Sequence, residues 1–112
     1  MTGMKLVSSV VRPERLDAVT QGLREANVQA IRVAEVRDLS PEGLRQIAWM
    51  GHEHHVPSVM MEVQVVVFDE DVDQVVRLIL KCARTRSPGD GHVCVMPVDY
   101  RFDIHTGSRD VS

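Results

Sequence analysis

Aromatic side chains are nearly absent from this chain. Its 112 residues include one tryptophan, one tyrosine and two phenylalanines, too few for the stacking platforms that hold single-stranded nucleic acid. A surplus of positive charge is also lacking: 13 Lys and Arg stand against 16 Asp and Glu, a formal net charge of −3. No basic field is available to draw in nucleic acid or an anionic membrane surface. Long hydrophobic runs are missing too. The longest unbroken runs, such as residues 65–68, fall far short of the roughly 20 residues of a membrane-spanning helix. The opening MTGMKLVSSVV has no extended apolar core of a secretory leader, and a cytoplasmic location is expected. Cysteine is scarce. Cys82 and Cys94 lie in apolar patterns and are expected as buried, reduced thiols.

What remains is an ordinary globular composition, of a length for a single domain over residues 1–112. MKLVSSVV (4–11) is β-prone. Pro13 suits the first turn of a helix, and Leu16, Val19, Leu23 and Ala26 follow at helical spacing. QAIRVAEVR (29–37) reads as a second strand. Residues 38–58 hold two prolines, two glycines and three histidines without a sustained period, and read as a long connection. A third strand spans 59–68, with Met61, Val63, Val65 and Val67 on one face. Asp69 is the expected N-cap of a second helix, marked by Val72, Val75, Val76, Ile79, Leu80 and Ala83. HVCVMPV (92–98) is a fourth strand. Tyr100, Phe102 and Ile104 then alternate with Arg101, Asp103 and His105, as in a half-buried extended segment, before a polar, flexible tail at 106–112.

This order predicts an α+β fold, a ferredoxin-like βαββαβ sandwich with a long loop between strands 2 and 3. Two helices cover one sheet face. In so small a domain, oligomerisation is the expected cover for the other.

Three segments carry candidate chemistry. Gly89-Asp90-Gly91 is either a plain tight turn or a backbone cradle for an anion, and spacing alone allows both. His52, Glu53, His54 and His55 are donors for zinc, nickel or copper, or a solvated loop tip; they lack the i, i+4 helical spacing of a zincin. Trp49 and Met50, beside Ile47, form either a partner anchor or a packing patch. For an enzyme, Asp90, His92 and His105 offer acid–base partners, but no nucleophile accompanies them.

Taken in order, RPERLDAV, VAEVR, FDEDVDQVVRLILKCART, GDGHVCVMPV and HTGSRD resemble the PII signalling proteins, the nitrogen regulatory family. The resemblance spans nearly the whole chain. It implies a homotrimer with adenine nucleotides bound in intersubunit clefts. It implies a sensor rather than a catalyst, whose T-loop, here 38–58, docks on a transporter, enzyme or regulator. By position, the nucleotide contacts are Arg37, Asp38, Gly89, Asp90, Gly91, His92, Arg101, Asp103 and His105, and the partner-facing loop residues are Trp49, Met50 and His52. The resemblance tips residues 89–91 toward nucleotide contact.

Departures from the family pattern refine the ligand. His92 stands where a lysine usually follows GDG, and Asp103 and His105 stand where two arginines are usual. The usual glycine-rich loop base followed by Arg-Gln is replaced by DLSPE, with Arg45-Gln46 farther along. A triphosphate needs several fixed cations or a metal, and up to three are gone. ADP or AMP is therefore expected rather than ATP, with a small anion such as bicarbonate as a possible co-ligand and no 2-oxoglutarate. His92 and His105 would make affinity pH-dependent. The resemblance implies a target in nitrogen or carbon metabolism. The only tyrosine is Tyr100, so the modifiable loop tyrosine of some relatives is missing. The alternative is a trimeric metal-responsive protein of the same fold, holding a transition metal at residues 52–55.

Overall fold

The computed structural model describes residues 3–39, 44–49 and 51–109, and at 44–49 and 52–57 the backbone path alone. Strand β1 (Met4–Val11) is followed by a short 3-10 turn that begins at Pro13 and leads into helix α1 (Leu16–Glu25). Then come β2 (Arg32–Asp38), β3 (Leu44–Trp49), β4 (His52–Phe68), α2 (Val72–Ala83) and β5 (Gly91–Val98). The main sheet is antiparallel in the order β2-β4-β1-β5.

Period-2 patterning sets the two faces. Val7, Ser9 and Val11 of β1 lie opposite Val65, Val63 and Met61 of β4. With Val19 and Leu23 of α1 and Val75, Ile79 and Ala83 of α2, most of them form the buried core. Full burial of each such Val, Leu or Ile side chain is worth ~1.5–3 kcal/mol. Ser9 and Thr20 are the buried polar residues among those described, and the Ser9 hydroxyl donates to the Val63 carbonyl at 3.2 Å. The helices pack closely where Gly22 meets Leu78 and Cys82. Arg15 joins them again, its guanidinium donating two hydrogen bonds, 2.8 and 2.6 Å, to the Cys82 carbonyl near the end of α2. Helix α1 ends on Asn27 at φ 66°, with Val28 N–H bonded back to Leu23 C=O at 2.9 Å, the αL termination that Asn tolerates.

The opposite sheet face carries no helix. Its rows include Leu6, Val66 and Met96, then Ser8, Gln64 and Cys94, then Val10, Glu62 and His92. Cys94 is therefore exposed within the protomer, and Cys82 half-buried; both are free thiols. The expected burial of Cys94 fails because its strand position points to the uncovered face.

Three further expectations change. Within the long 38–58 connection the chain forms a two-stranded ribbon, β3 against the first part of β4, from Leu44↔Pro57 to Trp49↔His52. Asp69 does not cap α2: its carboxylate pairs with Lys5 across the sheet end. Tyr100, Phe102 and Ile104 are exposed, Ile104 completely. After Val98 the chain leaves the sheet, and residues 102–109 close on themselves, so their alternation meets no second layer.

Candidate functional site

The stretch around residues 89–91 begins where α2 ends and returns the chain to β5. Asp90 ties it down. Its carboxylate accepts hydrogen bonds from the Thr85 N–H at 2.7 Å, from the Thr85 hydroxyl, and from Arg12 Nε at 3.0 Å. Arg12 also donates to the Pro88 carbonyl at 2.8 Å. The Thr85 hydroxyl is the chief cause that holds the Asp90 carboxyl below its usual 3.8; the Thr85 N–H and Arg12 add to it. Asp90 is thus engaged within the protomer, as the brace of the turn.

The glycines have separate reasons. Gly89 takes φ 85° and Gly91 φ 108°, where side chains are strained. A Cβ on Gly91 would stand 1.7 Å from the Val10 carbonyl oxygen. Gly91 is therefore demanded by the β1–β5 pairing, whatever else the turn does. Beside it opens a cleft of about 190 Å³. Val10, Val11 and Ile79 make its apolar wall, and Arg84, Asp90 and His92 its polar rim.

The sheet register locates the other candidates. Gly91 pairs with Val11, and Val11 with Met61. Val36 pairs with Met60 and Asp38 with Ser58, so Arg37 and Asp38 lie toward that same end of the sheet. Val98, in contrast, pairs with Met4. Arg101 lines a cavity of about 350 Å³ at that far end, together with Met4, Asn27, Phe68 and Gln74. The eight residues of β1 separate the two ends, roughly 25 Å at ~3.3 Å per residue. One protomer therefore brings 37–38 and 89–92 to one end and Arg101 to the other.

Asp103 and His105 follow Arg101 in an exposed turn. The Asp103 carboxylate accepts from the Thr106 N–H at 2.9 Å and its hydroxyl at 3.4 Å. The Gly107 N–H reaches the Asp103 carbonyl at 2.8 Å. Here a carboxylate shapes its own turn. Arg109 stacks on Tyr100, 5.0 Å from the ring centroid, and closes the segment.

The partner-loop and metal candidates reach less far into the structure. Trp49 and His52 face each other in backbone register at the tip of the ribbon, and Glu53, His54 and His55 continue β4. Their side chains, and Met50 altogether, lie outside the described residues. Among the described residues no cluster of three or more metal-ligating side chains occurs. Nor is any described helix long and apolar enough to cross a membrane.

Comparison with known proteins decides the family. The family model "Nitrogen regulatory protein P-II" matches residues 4–108. A nitrogen regulatory protein P-II of Nostoc punctiforme is 34% identical over 108 residues, covering 96% of each chain. The solved structure of Arabidopsis thaliana PII bound to citrate superposes with a TM-score of 0.77 at 25% identity, covering 97% of this chain and 90% of that one. The chain belongs to the P-II family.

P-II proteins are signal-transducing regulators and not enzymes, so Asp90, His92 and His105 are not an acid–base set. The match also favours signal transduction over the metal-responsive alternative. Sequence reasoning missed two cations of this P-II protein's turn. Arg12 braces Asp90 from 78 residues away, a pairing no local pattern reveals. Arg84 lines the cleft, and its place just before the RSPGDG break was the available signal.

Proposed function

We propose that this P-II protein senses an adenine nucleotide, ADP or AMP rather than ATP, bound between protomers of a homotrimer. One observation carries the reading. Residues 89–92 and Arg101 stand at opposite ends of one sheet, so a site using both takes them from different copies. The exposed Tyr100, Phe102 and Ile104 and the helix-free sheet face supply apolar surface for such an assembly.

In this reading Gly89, Gly91, His92 and Arg84 of one protomer, with Arg37 and Asp38, face Arg101 and His105 of its neighbour. Asp90 and Asp103 act through the turns that they brace. One or two phosphates suit this sparse set of cations; three would leave charge unmatched. The 38–58 ribbon is the regulatory arm, with Trp49, Met50 and His52 toward a cytoplasmic target of nitrogen or carbon metabolism. For the nucleotide to switch that arm, it must bind its two states with different affinity.

The test is isothermal titration with ATP, ADP and AMP, each with and without magnesium, bicarbonate or 2-oxoglutarate. Citrate, the ligand in the Arabidopsis structure, serves as an anionic competitor. Micromolar ADP or AMP binding is expected, weakened by Arg84→Gln. Absence of nucleotide binding under every condition overturns the reading.

A further inference from the structure

Helix α2 presents a second surface, which meets the nucleotide cleft only at Leu80 and Arg84. Arg77, Lys81 and Arg84 recur at i, i+4 and i+7, one stripe along the helix, and Arg86 follows in the next loop. All four are exposed. They line an open groove of about 480 Å³ with Leu80 and Thr85, and no carboxylate lines it. Among the described residues none of the four stands in an ion pair. This is a local concentration of positive charge on a chain whose net charge is −3. Leu80, 41% exposed, provides an apolar spot among the cations.

From this we infer that the groove is a docking site for an extended acidic segment of a partner protein. The layout favours a segment over a compact ion. Along the helix axis, the rise from Arg77 to Lys81 is ~6 Å, and to Arg84 ~10 Å. Alternate residues of an extended chain project to one side every ~6.6 Å, so carboxylates at i and i+2 match the first spacing. A compact ion would engage one or two of these side chains at a time. Nucleic acid is disfavoured, because the groove has no aromatic residue and the rest of the chain is acidic. Such a contact adds a body surface to the ribbon, and two linked contacts raise avidity beyond either alone.

The probe is a fluorescein-labelled peptide in which glutamate alternates with serine, with a glutamine version as control, followed by fluorescence anisotropy. The variant is Arg77→Glu combined with Lys81→Glu. Both positions are exposed, and neither lines the cleft beside Gly91. The expected result is binding of the glutamate peptide that weakens with salt and falls at least about tenfold in the double variant. Circular dichroism and nucleotide titration should be unchanged, which separates this test from that of the nucleotide site. Equal binding of the glutamine peptide, or equal affinity of the double variant, overturns the proposal. So does inorganic triphosphate binding that is tighter than the peptide's and is lost in the double variant, which would mark the groove as a compact-anion site.

Discussion

Gly91, paired with Val11 across the β1–β5 ladder, lies so close to the preceding Val10 carbonyl that a Cβ would stand 1.7 Å from its oxygen. Gly91→Ala must therefore part the two strands or flatten the turn, and its φ of 108° adds backbone strain. A loss of about 3–5 kcal/mol is expected in urea unfolding, among the largest effects of a point change. Gly107→Ala is the control. It shares a positive φ, 71°, but has nothing within 4 Å, so the cost should stay near ~1 kcal/mol.

Asp90 makes the turn acid-sensitive. Its carboxyl is held below the usual 3.8 by Thr85 and Arg12. A depressed folded-state value gives stability that is present above the unfolded value and lost as pH falls through the folded one. Acid unfolding followed by fluorescence of Trp49 or by circular dichroism should lose part of its slope below about pH 4 in Asp90→Asn. Arg12→Gln should move the same transition to higher pH. An unaltered acid limb in both variants would remove Asp90 as the brace.

Where the helices touch, Gly22 leaves no room. A Cβ there would lie 3.1 Å from both the Cys82 sulfur and a Leu78 methyl. Gly22→Leu should destabilise by about 2–3 kcal/mol, the range of overpacking. Gly22→Ala gains up to ~1 kcal/mol of helix propensity against a small shift of Leu78, so its net effect should lie within about 1 kcal/mol of zero. Thermal unfolding of the two variants checks the contrast.

Ile104 is completely exposed in the protomer. Ile104→Asp should leave protomer folding, read by circular dichroism, unchanged. If the protein assembles through this segment, sedimentation will show the variant in smaller species than the parent. Identical sedimentation would move the interface elsewhere.

The two amphipathic helices and the central strands β1 and β4 were legible because one face of each is buried, and burial writes a period into the sequence; the edge strands β2 and β5, which bury no residue fully, were legible from their β-branched composition. Pro13 marked the start of the first helical segment, and Val75, Ile79 and Ala83 marked the inner face of α2. The β3–β4 ribbon was not legible. Residues 52–57 carry Pro57 and no alternation, and in a two-stranded ribbon pairing sets the register rather than burial. Leu80, Cys94 and Ile104 misled for one common reason: an apolar residue in phase says which way it points, not whether anything covers it. The candidate nucleotide-contact positions at 37–38, 89–92, 101, 103 and 105 came from family resemblance and from no local pattern. The long-range ion pairs, Arg12 to Asp90 at the turn and Lys5 to Asp69 at the other end of β1, span 78 and 64 residues and have no local signature.

The separation of residues 89–92 from Arg101 along one strand has a consequence for how such a sensor would behave in solution. A site shared between copies makes ligand occupancy and self-association a single linked equilibrium. Dilution would then weaken the ligand, and the ligand would oppose dissociation on dilution. The response threshold would depend on how much of the protein a cell makes as well as on nucleotide concentration.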